Sequence, residues 1–286
     1  MNRGIIIGII GSLLAALTLA FIPIDQWVQC FPLWLRIIVI LFLLLSFWGY
    51  KLYQWKPIKI NGFIFKKITN DKYSMNINLG GNHIINIVYG KINDFQEYDK
   101  RTLVILPAND KFDDECIEDQ GSVLGSFVRS LYPNGNDDFK NAIRKELDKR
   151  EAKSFNIGDW ISISDVKSIA TEFNIGIVAV TYKIGDDIIA SSENVMLAFK
   201  GIHKIMTVKR ISKVYIPLIG SGHGGLSPEL SLLCLLISAI EQIRKNTGSS
   251  ILRDVNIVIY KRDNGDRDIP VERMRRIVKF VLNHCK

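Results

Sequence analysis

The chain has 286 residues, of which 48% are hydrophobic and 23% are charged, and its formal net charge is +8. Residues 1–55 hold only four charged residues, Arg3, Asp25, Arg36 and Lys51. A water-exposed surface of ordinary composition carries far more charge, so the composition argues against a fully soluble, disordered, collagen-like or coiled-coil protein. Residues 56–286 are numerous enough for one sizeable domain.

The cysteines and the net charge point to no metal, disulfide or nucleic-acid chemistry. Four cysteines lie far apart without a CxxC pair, and only four histidines accompany them, so we expect reduced thiols and no zinc site. The excess of basic residues is compatible with nucleic-acid binding, but acidic residues are almost as numerous and no nucleic-acid-binding motif is present. A basic surface that faces anionic lipid explains the charge equally well.

Two uncharged segments predict a transmembrane hairpin. Residues 4–24 carry no charge, and at about 1.5 Å per residue such a helix matches a hydrocarbon core of about 30 Å. Residues 37–50 are also uncharged, and Arg36 and Lys51 can snorkel, which extends the second span to about residues 33–53. A cleaved signal peptide is the alternative for the first segment, and a buried core helix is the alternative for the second.

The distribution of lysine orients this hairpin. Five lysines lie at the exit of the second span, Lys51, Lys56, Lys59, Lys66 and Lys67, whereas the loop between the spans carries little positive charge. By the positive-inside rule, both termini are predicted to be cytoplasmic, and the hairpin is expected in a cell inner membrane or plasma membrane. The expected organisation is a hairpin at residues 1–55 and a cytoplasmic domain at residues 58–286.

The pattern after Pro57 changes from alternating strands to buried strands separated by helices. Alternating residues predict strands near 58–60, 63–65, 75–79 and 84–89. Wholly apolar runs predict central strands at 103–106, 176–181, 214–218 and 255–260, and helices are expected at 123–131, 139–149, 194–209, 230–245 and 271–283. This order predicts an α/β domain of three layers, α/β/α.

A glycine-rich turn after the strand at 214–218 is the strongest local signal for a ligand. Residues 220–225 contain four glycines, and Ser227, Pro228 and Glu229 then form a good helix start. Glycines let backbone amides point at an anion beside a helix N-terminus, which suits a pyrophosphate. The turn has neither the lysine of a Walker A loop nor the position of a dinucleotide-binding fingerprint.

Polar and small residues follow the earlier central strand. Asn109, Asp110 and Asp113 come directly after it, and residues 121–126 form a second loop of small residues that opens a helix. If the strands are parallel, these segments and the glycine-rich turn lie on one edge of the sheet. Together they describe a cleft for an extended diphosphate ligand.

Four motifs in this order resemble those of a macro domain. They are residues 90–92, residues 107–113, the loop at 121–127 and residues 216–224. They are most similar to the divergent macro domains of Thoeris anti-phage defence effectors, as is the segment 155–159, and the hairpin resembles that of the transmembrane-macro effectors. Macro domains usually carry an aspartate where Lys91 stands, so Asp94 or the backbone is expected to read the adenine instead.

The resemblance implies a macro-like domain with a mixed sheet and an ADP-ribose-type ligand. We predict no cofactor, no metal and no catalytic residue. By analogy, the backbone near Ile92 faces the adenine, Asn109 bonds the distal ribose, and Tyr260 stacks on the base. His223 is expected near the group attached to the distal ribose. The full set of implied ligand-binding residues is Ile92, Asn109, Asp110, Asp113, Gly121, Ser122, Leu124, Gly125, Ser126, Gly220, Ser221, Gly222, His223, Gly224 and Tyr260.

Three functions follow from this resemblance. The first is a membrane-bound sensor that binds an ADP-ribose derivative, such as a histidine conjugate, made by a TIR-domain partner, and that oligomerises to disrupt the membrane. The second is a membrane-anchored ADP-ribosyl hydrolase, for which Asp110 or Asp113 is the only candidate base. The third is a membrane anchor that docks another protein.

Overall fold

The computed structural model describes residues 59–60, 63–67, 73–80, 82–94, 96, 98–113, 115–119, 121–133, 135–150, 155–168, 171–245, 251–262 and 267–285. All of them belong to one compact unit, Pro57–Lys286. The two predicted membrane spans, about 4–24 and 33–53, lie outside the described residues. None of the helices within the described ranges combines the length and the apolar character that crossing a bilayer requires.

The described residues contain one mixed β-sheet. Its strands in chain order are β1 (Lys59–Ile60), β2 (Phe63–Lys67), β3 (Tyr73–Asn78), β4 (Ile84–Gly90), β5 (Thr102–Asn109), β6 (Trp160–Lys167), β7 (Glu172–Ile184), β8 (Asp187–Ile189), β9 (Lys213–Pro217) and β10 (Asp254–Tyr260). The strand order is β1-β2-β3-β4-β10-β9-β5-β7-β6, and β8 pairs with β7.

Five strands in the middle of the sheet are parallel. Strand β10 pairs in parallel with β4 and β9, and β5 pairs in parallel with β9 and β7. The flanking strands β1, β2, β3, β6 and β8 pair antiparallel. The wholly apolar runs of the sequence correspond to β5, β7, β9 and β10, as predicted, whereas the alternating run at 84–89 is β4, which also pairs in parallel.

Helices follow the central strands. They are α1 (Glu115–Glu118), α2 (Val123–Leu131), α3 (Asp137–Asp148), α4 (Ser192–Lys209), α5 (Pro228–Lys245) and α6 (Val271–His284). The predicted start of α5 is confirmed: Ser227 Oγ accepts a hydrogen bond from Leu230 N at 3.2 Å, and Pro228 is the first helical residue.

The sheet separates two hydrophobic cores. On strand β5, Leu103 and Ile105 pack into the core that contains α4, α5 and α6. The alternate residues Val104 and Leu106 pack into the core with α2 and α3. Because alternate side chains of one strand enter opposite cores, the domain has three layers, as the predicted α/β/α class requires.

Three elements were not expected from the sequence. Residues Glu115–Glu118 form the short helix α1, although the acidic run that contains them is typical of a solvated loop. Strand β6 pairs with β7, and its register shifts between Ile163 and Val166, where Asp165 has a φ of 57°. Strand β8 has only three residues and continues the hairpin beyond the body of the sheet.

Candidate functional site

The carboxyl ends of the parallel strands meet at one edge of the sheet, which we call the site edge. Gly90, Asn109, Pro217 and Tyr260 are the last residues of β4, β5, β9 and β10. Gly90 and Tyr260 are direct partners in the β4–β10 register. The predicted ligand segments all follow these strand ends, so the fold brings them to the same edge.

The loop after β9, residues 218–227, contains glycines with different requirements. Gly220 and Gly225 have φ angles of 79° and 72°, a conformation that favours glycine. A Cβ at Gly224 would lie 2.7 Å from Ala190 Cβ, so a side chain there would displace Ala190, the residue after β8. A Cβ at Gly222 would meet nothing within 4 Å, and this glycine faces open space.

The backbone of the β9 loop closes on itself. Gly225 N donates to Gly222 O at 3.1 Å, and Leu226 N donates to Gly220 O at 3.1 Å. Neither bond involves the amides of residues 221–224. A turn of this kind beside the N-terminus of α5 is suited to an anion, because its amides and the helix dipole act together.

The loop before α2, residues 119–122, is organised by two side chains. Ser122 caps the helix, since its Oγ accepts a hydrogen bond from Gly125 N at 2.8 Å. Asp119 Oδ1 accepts a hydrogen bond from Gly121 N at 2.8 Å. Gly125 lies directly against the end of α1, because a Cβ there would be 2.1 Å from the Asp119 carbonyl oxygen.

A pair of side chains joins the α2 loop to the β9 loop. His223 Nε2 lies 3.1 Å from Asp119 Oδ2, and the two side chains are 53% and 44% exposed. A Cβ at Gly121 would lie 3.9 Å from His223 Cε1, so the His223 ring also lies beside the backbone of the α2 loop. The two glycine-bearing loops that the sequence singled out therefore adjoin in space.

The segment after β5 is held in shape by its own polar side chains. Asn109 is almost completely buried; its Nδ2 donates to Asp113 Oδ1 at 3.1 Å, and its Oδ1 accepts from Lys111 N at 3.0 Å. Phe112 has a left-handed φ of 50° and packs edge-on against Phe155, with ring centroids 4.9 Å apart. The segment 155–159 is thus part of the support of this turn.

Lys183 connects the β7–β8 hairpin to the same segment. Its Nζ lies 2.9 Å from Asp113 Oδ2 and 2.6 Å from Glu115 Oε2, and its backbone N donates to Asp110 Oδ1 at 2.9 Å. Hydrogen bonds to Glu115 and Asp113 raise the pKa of Lys183 above its usual value. Lys183 is consequently a cation at every physiological pH, and its positive charge offsets the negative charge of the carboxylates beside the site.

The far side of the site edge carries the residues expected near the adenine. Tyr260 is 44% exposed at the end of β10 and lies beside Gly90, whose missing side chain leaves open space. Ile92 is partly buried, and its carbonyl oxygen accepts a hydrogen bond from Tyr98 Oη. Asn93 Nδ2 donates to Ser130 Oγ at 2.7 Å, which ties this loop to α2.

The predicted residues contribute in different ways. Leu124 is buried in the core with α2, so only its backbone can reach a ligand, and Gly125 is fixed by packing. Gly121 and Ser126 are exposed, and Ser221 Oγ donates to Leu218 O at 2.7 Å. The exposed atoms at the site therefore come mainly from the two loops, His223 and Tyr260.

Two residues of the site were missed by the sequence analysis. Asp119 belongs to the acidic run at 113–119, which is typical of a solvated loop. Lys183 lies two residues beyond the last buried position of β7, Thr181. The rule that polar residues at carboxyl strand ends face the ligand crevice applies to Lys183 as well, once β7 is known to extend to Ile184.

The arrangement offers backbone amides and a helix N-terminus, which are groups that bind anions. Within the described residues, no group of three or more histidine, cysteine or acidic side chains is placed to hold a metal ion. Burial raises the pKa of the Cys116 thiol, which lies 3.7 Å from Asn109 Nδ2, so this cysteine is not activated. What the site offers is two adjoining loops, a helix N-terminus and an exposed aromatic ring.

Comparison with known proteins gives structural but not sequence relatives. No family model matches the chain, and no curated protein matches it significantly. The Oceanobacillus iheyensis macrodomain with MES bound is 16% identical, with a TM-score of 0.53 over 74% of this chain and 98% of that one. Its complex with ADP gives the same values, and a mutant with ADPR gives a TM-score of 0.54 at 16% identity over 73% and 99%.

These similarities extend over nearly the whole of the Oceanobacillus protein. At this level of sequence identity, structural similarity defines the fold and does not identify the ligand. The described part of the chain has the macrodomain fold.

Proposed function

We propose that this chain is a membrane-bound effector of the Thoeris anti-phage type, whose macrodomain senses an ADP-ribose derivative. The signal is made by a TIR-domain partner, and histidine-linked ADP-ribose is our first candidate. Binding changes the association of protomers, and the N-terminal hairpin then disrupts the membrane. The signal must bind one arrangement of the protein better than another for this to occur.

One observation carries the ligand assignment: the contact between His223 and Asp119, which joins the two glycine-bearing loops. A diphosphate is long enough to need amides from more than one loop, and two loops from different strands supply them at the N-termini of α2 and α5. The structurally similar Oceanobacillus macrodomain has been solved with ADP and with ADPR. The open space at Gly222 supports the same assignment, because packing does not require a glycine there.

The surroundings of the candidate bases favour a sensor over a hydrolase. Asp110 Oδ1 accepts the Lys183 amide, and its Oδ2 lies 3.2 Å from Lys111 Nζ. Asp113 is engaged by Asn109 and Lys183. A general base must reach a water beside the reacting carbon. Carboxylates that already hold the turn together are poorly placed for that task.

Calorimetric titration of the full chain in lipid nanodiscs tests the proposal. ADP-ribose and histidine-linked ADP-ribose are titrated separately, and the ligands are recovered afterwards and analysed by chromatography for cleavage. The matched variants are Gly222→Ala and Gly222→Glu, because a Cβ at this position would meet nothing within 4 Å. We expect the alanine variant to bind like the parent and the glutamate variant to bind at least tenfold more weakly, because a carboxylate then occupies the anion site.

The outcomes separate the proposed functions. Tight binding of the conjugate without cleavage supports the sensor. Cleavage that disappears in Asp110→Asn or Asp113→Asn, with binding retained, supports the hydrolase instead. If neither nucleotide binds, the ligand assignment is wrong, and the fold serves another purpose, such as docking a protein.

A further inference from the structure

The end of the domain opposite the site edge is formed by the C-terminal ends of three helices. Only residues 210–212 separate α4 from the start of β9, so α4 ends where β9 begins. Arg253 N and Asp254 N donate to Ser212 O, which brings the start of β10 to the same place. We call residues 204–210, 241–245 and 276–284 the basal surface.

Helix α6 reaches this end as well. Tyr89, near the carboxyl end of β4, donates a hydrogen bond from Oη to Ile269 O at 2.8 Å. The start of α6 therefore lies near the site edge. From there the helix packs along α5, and its last turns lie at the basal surface.

The basal surface is strongly basic. Its three segments contain seven lysine and arginine residues and one acid, Glu241. That acid is paired with Lys245 at 2.6 Å. In contrast, α1, α2 and α3 on the other face of the sheet contain four basic and six acidic residues. The net positive charge of the described domain is thus concentrated on one side and at one end.

The same surface exposes large apolar side chains. Val208 is 65% exposed and Phe280 is 53% exposed. The Phe280 ring stacks on His284 with centroids 4.4 Å apart. Basic residues at helix C-terminal ends are favoured by the helix dipole, but the dipole gives no reason to expose a valine and a phenylalanine among them. Basic and apolar residues together are typical of surfaces that rest on an anionic bilayer.

We propose that the basal surface docks on an anionic lipid bilayer. Charge complementarity selects this partner, because the surface joins a cluster of cations to side chains that can enter the headgroup region. The chain itself also supplies a nearly charge-free segment, residues 1–55, directly before the domain. The inference rests on the proposed membrane attachment, but it concerns a surface at the other end of the domain from the nucleotide cleft.

Tryptophan reporters in the full chain test this proposal. Phe280→Trp and Val208→Trp place an indole at the basal surface, and Tyr182→Trp, at a position 43% exposed near the site edge, is the matched control. Each variant is reconstituted in nanodiscs of brominated lipid, either zwitterionic or with anionic phosphatidylglycerol. The parent chain gives the background emission of its five native tryptophans.

We expect the basal indoles to be quenched at least twofold more strongly than Trp at position 182, and only with anionic lipid. The difference should fall at about 1 M salt, where the Debye length is about 3 Å. It should also be lost in Lys204→Glu/Lys279→Glu. The control Arg129→Glu/Lys145→Glu makes the same change in net charge on α2 and α3, and it should leave the quenching intact.

Equal quenching in the two lipids, or none at positions 208 and 280, overturns the proposal. If the Lys204→Glu/Lys279→Glu variant instead loses binding to a labelled oligonucleotide while lipid has no effect, the surface serves nucleic acid and the proposal is wrong. A chain that shows the expected quenching but ignores ADP-ribose overturns the proposed ligand and leaves the docking surface supported.

Discussion

The glycines of the site serve two physically different purposes. Gly125 and Gly224 are required by packing, because a Cβ at either position would lie within 3 Å of neighbouring atoms. Gly222 has no such neighbour, and its φ is not in the left-handed region. A glycine that neither packing nor backbone conformation requires is the one whose absent side chain leaves space for a ligand. Gly222 is therefore the best single position for testing the cleft.

This distinction predicts opposite effects of the same substitution. Gly125→Ala should destabilise the domain by about 1–3 kcal/mol, because its Cβ would lie 2.1 Å from a backbone carbonyl that cannot move freely. Gly222→Ala should change the stability by less than about 0.5 kcal/mol. Thermal unfolding of the full chain in detergent checks both. A midpoint for Gly125→Ala equal to that of the parent would contradict the close approach of α2 to α1.

A buried carboxylate gives a second prediction at the residue scale. Asp254 Oδ1 accepts hydrogen bonds from Asn86 Nδ2 at 2.9 Å and Asn256 Nδ2 at 3.0 Å. Burial raises the pKa of Asp254, although Lys213 and the two amides act in the opposite direction. The folded protein therefore disfavours the ionised form, and stability is lost as the pH rises through the usual pKa range of aspartate.

Asp254→Asn keeps an acceptor oxygen in place and removes the charge. We expect it to raise the unfolding midpoint at about pH 7 and to have no effect at about pH 3, where the carboxyl group is protonated in both the folded and unfolded states. Thermal unfolding of parent and variant across this pH range is the measurement. A lower midpoint for the variant at neutral pH would show that the attraction of Lys213 outweighs the cost of burial.

At the scale of elements, hydrophobic periodicity predicted the strands and helices whose faces are buried in the cores. The buried runs that became β5, β7, β9 and β10 could be recognised because both of their faces are covered. Helix α1 could not be recognised, since a four-residue acidic segment carries no apolar period, and only Ile117 is buried. The contact between His223 and Asp119 joins residues more than a hundred positions apart, and no local pattern specifies such a pairing.

The β7–β8 hairpin shows how an unpredicted element can organise a predicted motif. Lys183 ties this hairpin to Asp113 and Glu115, and its backbone N bonds Asp110. We expect Lys183→Met to leave these carboxylates without their cation and to speed amide hydrogen exchange across residues 110–118. Lys111→Met is the control, since the Lys111 side chain is 47% exposed and its ammonium group pairs with Asp110 rather than with Asp113 or Glu115. Equal exchange in both variants would mean that Lys183 does not hold the segment in place.

At the scale of the whole molecule, the domain has two chemically different ends. The site edge gathers loops, glycines and an exposed tyrosine, and the basal surface gathers cations with Val208 and Phe280. The central strands run in one direction, and helices α4, α5 and α6 run back in the other. The carboxyl ends of the strands therefore lie at the site edge, and the C-terminal ends of these helices lie at the basal surface. A ligand at the site edge would therefore not compete with the lipid that we propose binds the basal surface.

The proposed effector activity predicts a response of the full chain to its signal. Vesicles of phosphatidylglycerol and phosphatidylethanolamine that contain the chain and a self-quenched dye should release the dye when histidine-linked ADP-ribose is added. Gly222→Glu should abolish the release, because its cleft no longer accepts the diphosphate, whereas Gly222→Ala should retain it. Two results would contradict this prediction: dye release by the parent chain without nucleotide, or equal release by Gly222→Glu and the parent. Either would show that membrane damage does not depend on ligand binding in the cleft. The macrodomain would then be a binding module whose ligand does not control the hairpin.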